Sequence, residues 1–416
     1  MKNRIIILTA IFFTFIAEVV AQDALTLESS IEIALQNNLD IKVAKNDAQT
    51  SVNSATKGNA GLLPSLSGTA NTAYSEHSSD EFSSYGTMDF SYTLFDGFGG
   101  TYSYKILNLQ KERGLLTARY NIENTIANVI NGFYQLSEDF ENEEVAKENF
   151  LISKERLQRI EAKFEFGGAN SLDVLNSKVD FNEDSTSYLQ AKQNYEESVR
   201  EMNVLLGRSA ETEIQLILDA SDFEVFELDE LKKKALVENA DYLIQANQLR
   251  EDELSVKKAK KSQLPSVDLS SSYYYYDKDI SGTNSKGMLT GQLGISYTIF
   301  DGKTKKLEIA NAKIEKLNSE LEYQNKMLEL ERDIVNAYAN YTYNLKMLSL
   351  QEDALEAATL NFKQSKEYYQ LGQLTSTEFR EAQQNLLEAQ YNKSAARYDA
   401  KESEVSIKQI SGMLLQ

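Results

Sequence analysis

The strongest constraint on this chain is an internal duplication, because its 416 residues repeat several short motifs at an offset of about 200. Leu-Pro-Ser at 63–65 returns at 264–266, and Tyr-Thr-Leu-Phe-Asp-Gly at 92–97 returns as Tyr-Thr-Ile-Phe-Asp-Gly at 297–302. The matches keep one order in both halves. Repeats at a fixed period indicate that one structural unit is used twice. We therefore expect a first repeat at 22–207, a linker at 208–227 and a second repeat at 228–416.

The two prolines of the chain, Pro64 and Pro265, hold the same position in the two halves. Proline lacks an amide donor and disfavours helix in the residue before it, so each proline predicts the end of a helix and the start of a strand. The repeated Phe-Asp-Gly tripeptides predict the strand exits. They are Phe95, Asp96, Gly97, Phe300, Asp301 and Gly302.

Two long stretches without proline follow these strand exits, at 100–166 and 303–371. A helix of about 65 residues is roughly 100 Å long, which exceeds the usual helix of a globular domain. The second stretch carries two adjacent apolar stripes, which suit a closed ring of helices or a solid helical bundle better than a two-stranded coiled coil. One stripe is Leu307, Ala310, Ile314, Leu317, Leu321, Leu328, Val335, Tyr338 and Leu345; the other is Tyr323, Met327, Leu330, Ile334, Ala337 and Tyr341.

Shorter helices flank each repeat unit. We expect one helix before each strand pair, at 27–59 and 228–262, and one after each long helix, at 171–206 and 375–413. Ile214, Leu216 and Leu218 occupy alternate positions within the acidic linker, which predicts a short strand there.

The segments after each proline and before each Phe-Asp-Gly alternate in polarity, most clearly at 85–95 and 288–300. One face is apolar, and the other carries Ser, Thr, Gln and Asp. Segments of this length and pattern are typical of transmembrane β-barrel strands, although a soluble sheet covered on one side gives a similar pattern. Abundant tyrosine suits a belt at the membrane interface. We therefore predict a barrel built from 64–96 and 265–301, with outer loops at 75–86 and 277–287.

Four strands cannot close a barrel, and an open sheet edge cannot face lipid. The strands therefore require oligomerisation, and three copies would give twelve strands, a normal barrel size. The predicted fold class is mainly α, with long helices that form an α-helical barrel and a twelve-stranded transmembrane β-barrel in a trimer.

The N-terminus and the composition narrow the location and exclude several functions. Residues 1–21 combine Lys2 and Arg4 with a short apolar run and a small residue, Ala21, before a cleavage point, which predicts a secretory signal peptide. The formal charge of −20 argues against nucleic-acid binding. The chain has no Cys and a single His, His77, so we expect no cofactor, no metal site and no enzymatic activity.

Over nearly its whole mature length, the sequence resembles the TolC family of outer-membrane efflux proteins. The duplication, the Leu-Pro-Ser strand starts, the Tyr-Thr-Leu/Ile-Phe-Asp-Gly strand exits and the glycine turns carry the resemblance. It implies a homotrimer in the lipid of the bacterial outer membrane, with helices that extend into the periplasm. It also implies two partners, a periplasmic adaptor (membrane fusion) protein and an inner-membrane pump, for an efflux or type I secretion duct.

The resemblance also implies a gate at the periplasmic tip, where the chain reverses at Gly167 and Gly372. Counting from these glycines places acidic ring positions at Glu378 and Glu381 in the second turn and at Asp173 in the first. Tyr369 matches an aromatic gate position, from which it would hydrogen-bond to Asp173. The expected basic residue is missing, because Leu374 occupies its position.

Simpler explanations exist for these residues and for the whole chain. Acidic residues are common in the first turns of helices, where Ser171 and Thr375 are expected to be the N-caps. A structural or adhesive trimeric coiled coil would have long helices without four alternating strands. A periplasmic adaptor subunit would have one helical hairpin between compact β-domains rather than a duplicated unit.

Overall fold

The computed structural model describes residues 24–77, 79–277 and 286–415. The predicted signal peptide and most of the second outer loop lie outside this part of the chain. The described part contains eight helices and four strands, in the same order in both halves. They are α1 (Leu27–Asn37), α2 (Leu39–Ser54), β1 (Ser65–His77), β2 (Ser79–Phe95), α3 (Gly99–Glu165), α4 (Ser171–Leu205), α5 (Leu228–Glu238), α6 (Ala240–Lys261), β3 (Ser266–Tyr276), β4 (Gly287–Ser296), α7 (Thr304–Gln370) and α8 (Ser376–Ile410).

The helix before each strand pair is broken in two, so the prediction of single helices at 27–59 and 228–262 is wrong. Asn38 and Asn239 stand at the breaks, and each side-chain oxygen accepts hydrogen bonds from the first turn of the next helix. Their amide groups donate to the carbonyls of Leu205 (2.8 Å) and Ile410 (2.9 Å) at the ends of α4 and α8. Each asparagine therefore ties the broken helix to the end of its own repeat.

The helices pack side by side in a layer, and the two 67-residue helices, α3 and α7, are its longest members. α3 contacts α2 and α6 toward the sheet, and α4 and α8 toward the opposite end. α7 contacts α6 and α8, so α2 and α4 lie at one edge of the layer and α7 at the other.

The two apolar stripes of α7 have different environments in the single chain. Most of the second stripe is buried against α5 and α6, where Leu330, Ile334 and Tyr341 belong to one hydrophobic cluster, although Met327 is 43% exposed. The first stripe faces solvent from Leu307 to Leu328, where both of these residues are more than 60% exposed, whereas Tyr338 and Leu345 at its far end pack against the same cluster. A long apolar stripe that the chain itself leaves uncovered indicates a further protein neighbour.

The linker crosses the middle of the helical layer. Its predicted strand is reduced to a single parallel bridge between Leu216 and Leu25. The hydroxyl of Tyr134 donates to Asp219 (3.0 Å), and that of Tyr341 donates to the carbonyl of Glu224 (2.6 Å). The linker thus contacts both long helices.

The four strands form one antiparallel sheet in the order β1-β2-β3-β4. The predicted loop at 75–86 is wrong, because β1 and β2 pair as far as His77 and Ser79. The strand predicted at 288–300 ends at Ser296 instead. No helix in the described part of the chain combines the length and apolar character that crossing a membrane requires.

Candidate functional site: the sheet and the helical tip

The sheet has one apolar face and one polar face. Strand pairing places Met88, Tyr273 and Leu289 side by side, and likewise Tyr92, Leu269 and Leu293. This face is largely uncovered; Leu293 is 64% exposed and Ile295 is 74% exposed. Exposed apolar rows on a sheet without a covering helix match a strand surface that faces lipid.

The polar face carries a ladder of hydroxyl and carboxylate groups. Asp89 accepts hydrogen bonds from Thr87 (2.9 Å) and Ser272 (2.6 Å). Asp268 lies on β3, four residues from the Ser272 that pairs with Asp89, and it accepts hydrogen bonds from Thr93 (2.8 Å) and Ser266 (3.0 Å). Carboxylate and hydroxyl groups are costly to place in hydrocarbon, so this face requires water.

Both outer strands have free edges, since in the described part of the chain β1 pairs only with β2 and β4 only with β3. A free edge presents unpaired amide and carbonyl groups, which lipid cannot satisfy. A sheet with this apolar face can lie in lipid only if further strands pair with its two free edges.

β1 and β3 begin directly after Pro64 and Pro265, and β2 ends at Phe95. Gly97 adopts φ 68° and Phe98 φ 70°, and the second repeat shows the same pair at Gly302 and Lys303. This turn redirects the chain from strand to helix.

The two aspartates of these turns stabilise the helix starts. The carboxylate of Asp96 accepts a hydrogen bond from the Gly100 amide. That of Asp301 accepts from the amides of Lys303 (2.9 Å) and Lys305 (2.9 Å). Phe300 lies beyond the end of β4, so this strand ends earlier than predicted.

The opposite end of the helical layer is a tip made of two helix reversals. Gly167 (φ 72°) and Gly372 (φ 73°) both adopt the left-handed conformation that ends a helix. Asn170, not Ser171, caps α4, whereas Thr375 caps α8 as predicted. Both N-caps form capping boxes with the residue three positions later.

The capping boxes use two of the predicted gate acids. The carboxylate of Asp173 accepts from the Asn170 amide (3.3 Å), and that of Glu378 accepts from the Thr375 amide (2.9 Å) and hydroxyl (2.6 Å). These hydrogen bonds hold the pKa of Glu378 below its usual value. Glu381 is exposed one turn further along α8.

Tyr369 is buried and stacks on Phe379, with ring centroids 4.6 Å apart. Its hydroxyl has no hydrogen-bond partner within the described part of the chain. The expected hydrogen bond from Tyr369 to Asp173 is therefore not formed inside one protomer. The ammonium group of Lys163 on α3 lies 5.5 Å from the centre of the Tyr369 ring.

The sequence alone did not predict an ion network that joins three helices just above the tip. Arg380 on α8 donates to both oxygens of Asp184 on α4, at 2.5 and 2.9 Å. Arg156 on α3 pairs with Asp180 on α4. Asp184 is only 2% exposed, and burial lowers the pKa of Arg156. Nothing in the sequence pairs Arg380 with an aspartate nearly 200 residues earlier.

The described residues contain no group of three His, Cys, Asp or Glu side chains arranged to hold a metal ion. The structural features that remain are a sheet with a lipid-facing surface and a wet surface, and a tunnel-length helical layer with a charged tip. These features are typical of an outer-membrane channel protein.

The sequence comparisons agree with this class. The family model described as outer membrane efflux protein matches residues 30–208 and 231–413. The chain belongs to the outer membrane efflux protein family. The predicted family and location are confirmed, and so is a mainly helical fold with one four-stranded antiparallel sheet: the protein is a channel protein of the bacterial outer membrane that extends into the periplasm.

Solved structures of similar fold include three named outer-membrane proteins. The Campylobacter jejuni CmeC outer membrane channel has a TM-score of 0.80 at 18% identity, covering 93% of this chain and 85% of that one. VceC from Vibrio cholerae gives 0.77 at 15%, covering 93% and 96%. The open state of the Neisseria gonorrhoeae MtrE channel gives 0.76 at 16%, covering 93% and 89%. No curated protein sequence matches the chain.

Proposed function

We propose that the protein is the passive exit duct of a tripartite efflux or type I secretion system, built as a homotrimer. The observation that carries this proposal is the pair of free sheet edges beside an exposed apolar face. A lipid-facing sheet needs closure, and three copies of four strands supply twelve. No catalytic residue is needed for a duct.

The helical layer supports the same assembly. The uncovered stripe of α7 forms one edge, and α2 and α4 form the other. Both edges are apolar: Leu39 and Val43 of α2 and Leu175 of α4 are more than half exposed. Head-to-tail contact of unlike edges closes into a ring when the rotation per copy is correct. The ring would extend the barrel lumen through the periplasm.

Heat-modifiable migration tests this assembly. Protein extracted from outer membranes is run on a denaturing gel with and without boiling. We expect a band of trimer size that converts on boiling to a monomer band slightly below the 47.0 kDa of the full chain, because the predicted signal peptide is removed. Leu317→Glu and Leu328→Glu on the uncovered stripe should abolish the trimer band, because each buries a charge at the α7 edge. A trimer that tolerates both charges contradicts the proposed ring.

The proposed gate acids are Glu378 and Glu381 after the second helix reversal of the tip and Asp173 after the first. Tyr369 is the proposed aromatic gate residue. Three copies would place rings of like charge at the periplasmic entrance, which favours cations. Glu378→Gln is a clean test because glutamine retains the capping box while removing the charge. The proposed opening partners are a periplasmic adaptor protein and an inner-membrane pump, which copurification from cross-linked cells would identify.

Single-channel currents in planar bilayers test the gate. The double variant Glu378→Gln and Glu381→Gln should lose cation preference and block by multivalent cations. Glu388→Gln, an exposed glutamate on the same helix about 15 Å further from the tip, is the matched control. Unchanged selectivity in the double variant, or an equal loss in the control, would show that these acids do not form the filter.

A further inference from the structure

The polar face of the sheet carries aromatic side chains that lipid contact does not explain. β3 ends in four consecutive tyrosines, which alternate between the two faces. Tyr273 lies on the apolar face beside Met88 and Leu289, and Tyr275 shares that face. These two suit a belt at the membrane interface. Tyr274 and Tyr276 point to the opposite, polar face.

Tyr85 of β2 joins them, since it pairs directly with Tyr276 across the strands. The ring centroids of Tyr85 and Tyr276 are 6.0 Å apart, and those of Tyr274 and Tyr276 are 6.4 Å apart and nearly parallel, at 14°. The three rings form a continuous aromatic surface, which we call the tyrosine tier. It lies at the end of the four-stranded part that is away from the helices.

The carboxylates of the polar face lie directly below the tyrosine tier. Asp89 is bonded to Ser272, two residues from Tyr274 along β3, so it lies one pleat repeat or about 7 Å below that ring. Asp268 lies four residues further along the strand, about 13 Å lower. The hydroxyl donors of Thr87 and Ser272 hold the Asp89 carboxylate in place.

This order of groups has a definite chemical preference. Aromatic faces attract cations through the negative charge on the ring face, and they also take up flat apolar groups. A carboxylate within one pleat repeat adds attraction for positive charge. The number of strands sets the diameter of a barrel. In a twelve-stranded barrel, tyrosine side chains that point inward occupy part of this diameter and narrow the lumen.

We propose that the tyrosine tier and Asp89 form a second, outer selectivity site for aromatic or amphiphilic organic cations. This proposal rests on the closed trimer of the proposed function, in which three copies surround one lumen. The tier is separate from the acids of the periplasmic tip, since the two sites lie at opposite ends of the molecule. A cargo that passes the tip as a cation meets an aromatic ring surface before it leaves.

The chain provides a matched control for this site. Tyr274→Leu and Tyr276→Leu remove rings from the polar face, while Tyr273→Leu and Tyr275→Leu remove the same number of rings from the same strand on the apolar face. Leucine retains apolar bulk in the strand. Asp89→Asn removes the charge and retains the shape of the side chain.

The probe is benzyltrimethylammonium, added to the outer side of single trimers in planar bilayers, with benzenesulfonate as the aromatic anion and tetramethylammonium as the non-aromatic cation. In the unmodified channel we expect benzyltrimethylammonium to block current at lower concentration than either comparison ion. The polar-face pair should raise the blocking concentration on the order of fivefold, the pair on the apolar face less than twofold, and Asp89→Asn severalfold.

The outcomes separate this inference from the proposed function. Failure of the unmodified protein to form ion-conducting trimers overturns the proposed function. The outer site is overturned if conducting trimers of the polar-face variant are blocked at the same benzyltrimethylammonium concentration as the unmodified channel. It is also overturned if the polar-face and apolar-face variants have the same blocking concentration. Equal block by benzenesulfonate also overturns it. If the polar-face variant does not assemble, Tyr274→Phe and Asp89→Asn are tested instead. Block that is retained in Tyr274→Phe and lost in Asp89→Asn supports the site, and any other pattern overturns it.

Discussion

Replacement of Arg380 by alanine should loosen the helical tip strongly. The guanidinium group makes two hydrogen bonds to Asp184, and the side chain of Arg380 is 11% exposed, whereas that of Asp184 is 3% exposed. The variant leaves the Asp184 carboxylate buried without its bidentate partner. Removal of one member of a buried ion pair costs about 3–5 kcal/mol. This cost should fall on the local opening of α8 and α4 at the tip.

Hydrogen–deuterium exchange of trimers measures that opening directly. Each 1.4 kcal/mol corresponds to a factor of about ten, so amide exchange near residues 380–388 and 180–188 should accelerate about a hundredfold or more. Arg159→Ala is the control, because its pair with Glu155 is exposed and worth at most about 1 kcal/mol. A second comparison is the double variant Arg380→Met with Asp184→Leu, in which no charge is left unpaired.

The expected order of exchange rates is therefore unmodified protein and Arg159→Ala slowest, the double variant intermediate and Arg380→Ala fastest. If Arg380→Ala exchanges no faster than Arg159→Ala, the network does not hold the tip together. If the double variant exchanges as fast as Arg380→Ala, the stranded charge is not the cause.

Two further predictions concern pH and backbone conformation. Burial, with a smaller contribution from Asp399, raises the pKa of Glu402 above its usual value. The stabilising contribution of the protonated Glu402 side chain is therefore complete below pH 4.5 and is lost as pH rises through the folded-state pKa. Glu402→Gln should thus raise the melting temperature at pH 7 and leave it unchanged at pH 4; an equal effect at both would refute this. Gly97→Ala should destabilise the trimer more than Gly302→Ala, since both have positive φ but a Cβ at Gly97 would lie 2.6 Å from the Lys261 carbonyl. Equal melting temperatures of the two variants would contradict the predicted clash.

The sequence predicted most of the secondary structure because its signals are local. The two prolines, the Phe-Asp-Gly turns and the alternation of polarity mark strand ends and faces from neighbouring residues alone. The long helices were predicted within a few residues at both ends. Asn38 and Asn239 were missed because a capping asparagine inside an apolar pattern looks like an ordinary helical residue until its partners at Leu205 and Ile410 are known.

The candidate site divided in the same way. The family resemblance placed the chain reversals at Gly167 and Gly372, where glycine suits a helix end, and cap preferences, which depend on adjacent residues, predicted Thr375. The pairing of Arg380 with Asp184 joins residues far apart in the chain, and the burial of Tyr369 against Phe379 depends on how α7 and α8 pack. A capping acid and a gate acid are identical in sequence, so the roles of Asp173 and Glu378 depend on what they contact.

The duplication, the strand faces and the need for more than four strands were fixed by the sequence itself, because periodicity and the cost of unpaired backbone in lipid require no tertiary detail. Only the tertiary structure decided which of the two α7 stripes is covered, which tyrosine of β3 pairs with Tyr85 across the sheet, and which charges meet at the tip. Each of these depends on contacts between segments that are distant in sequence, and a single sequence carries no local signal for such contacts.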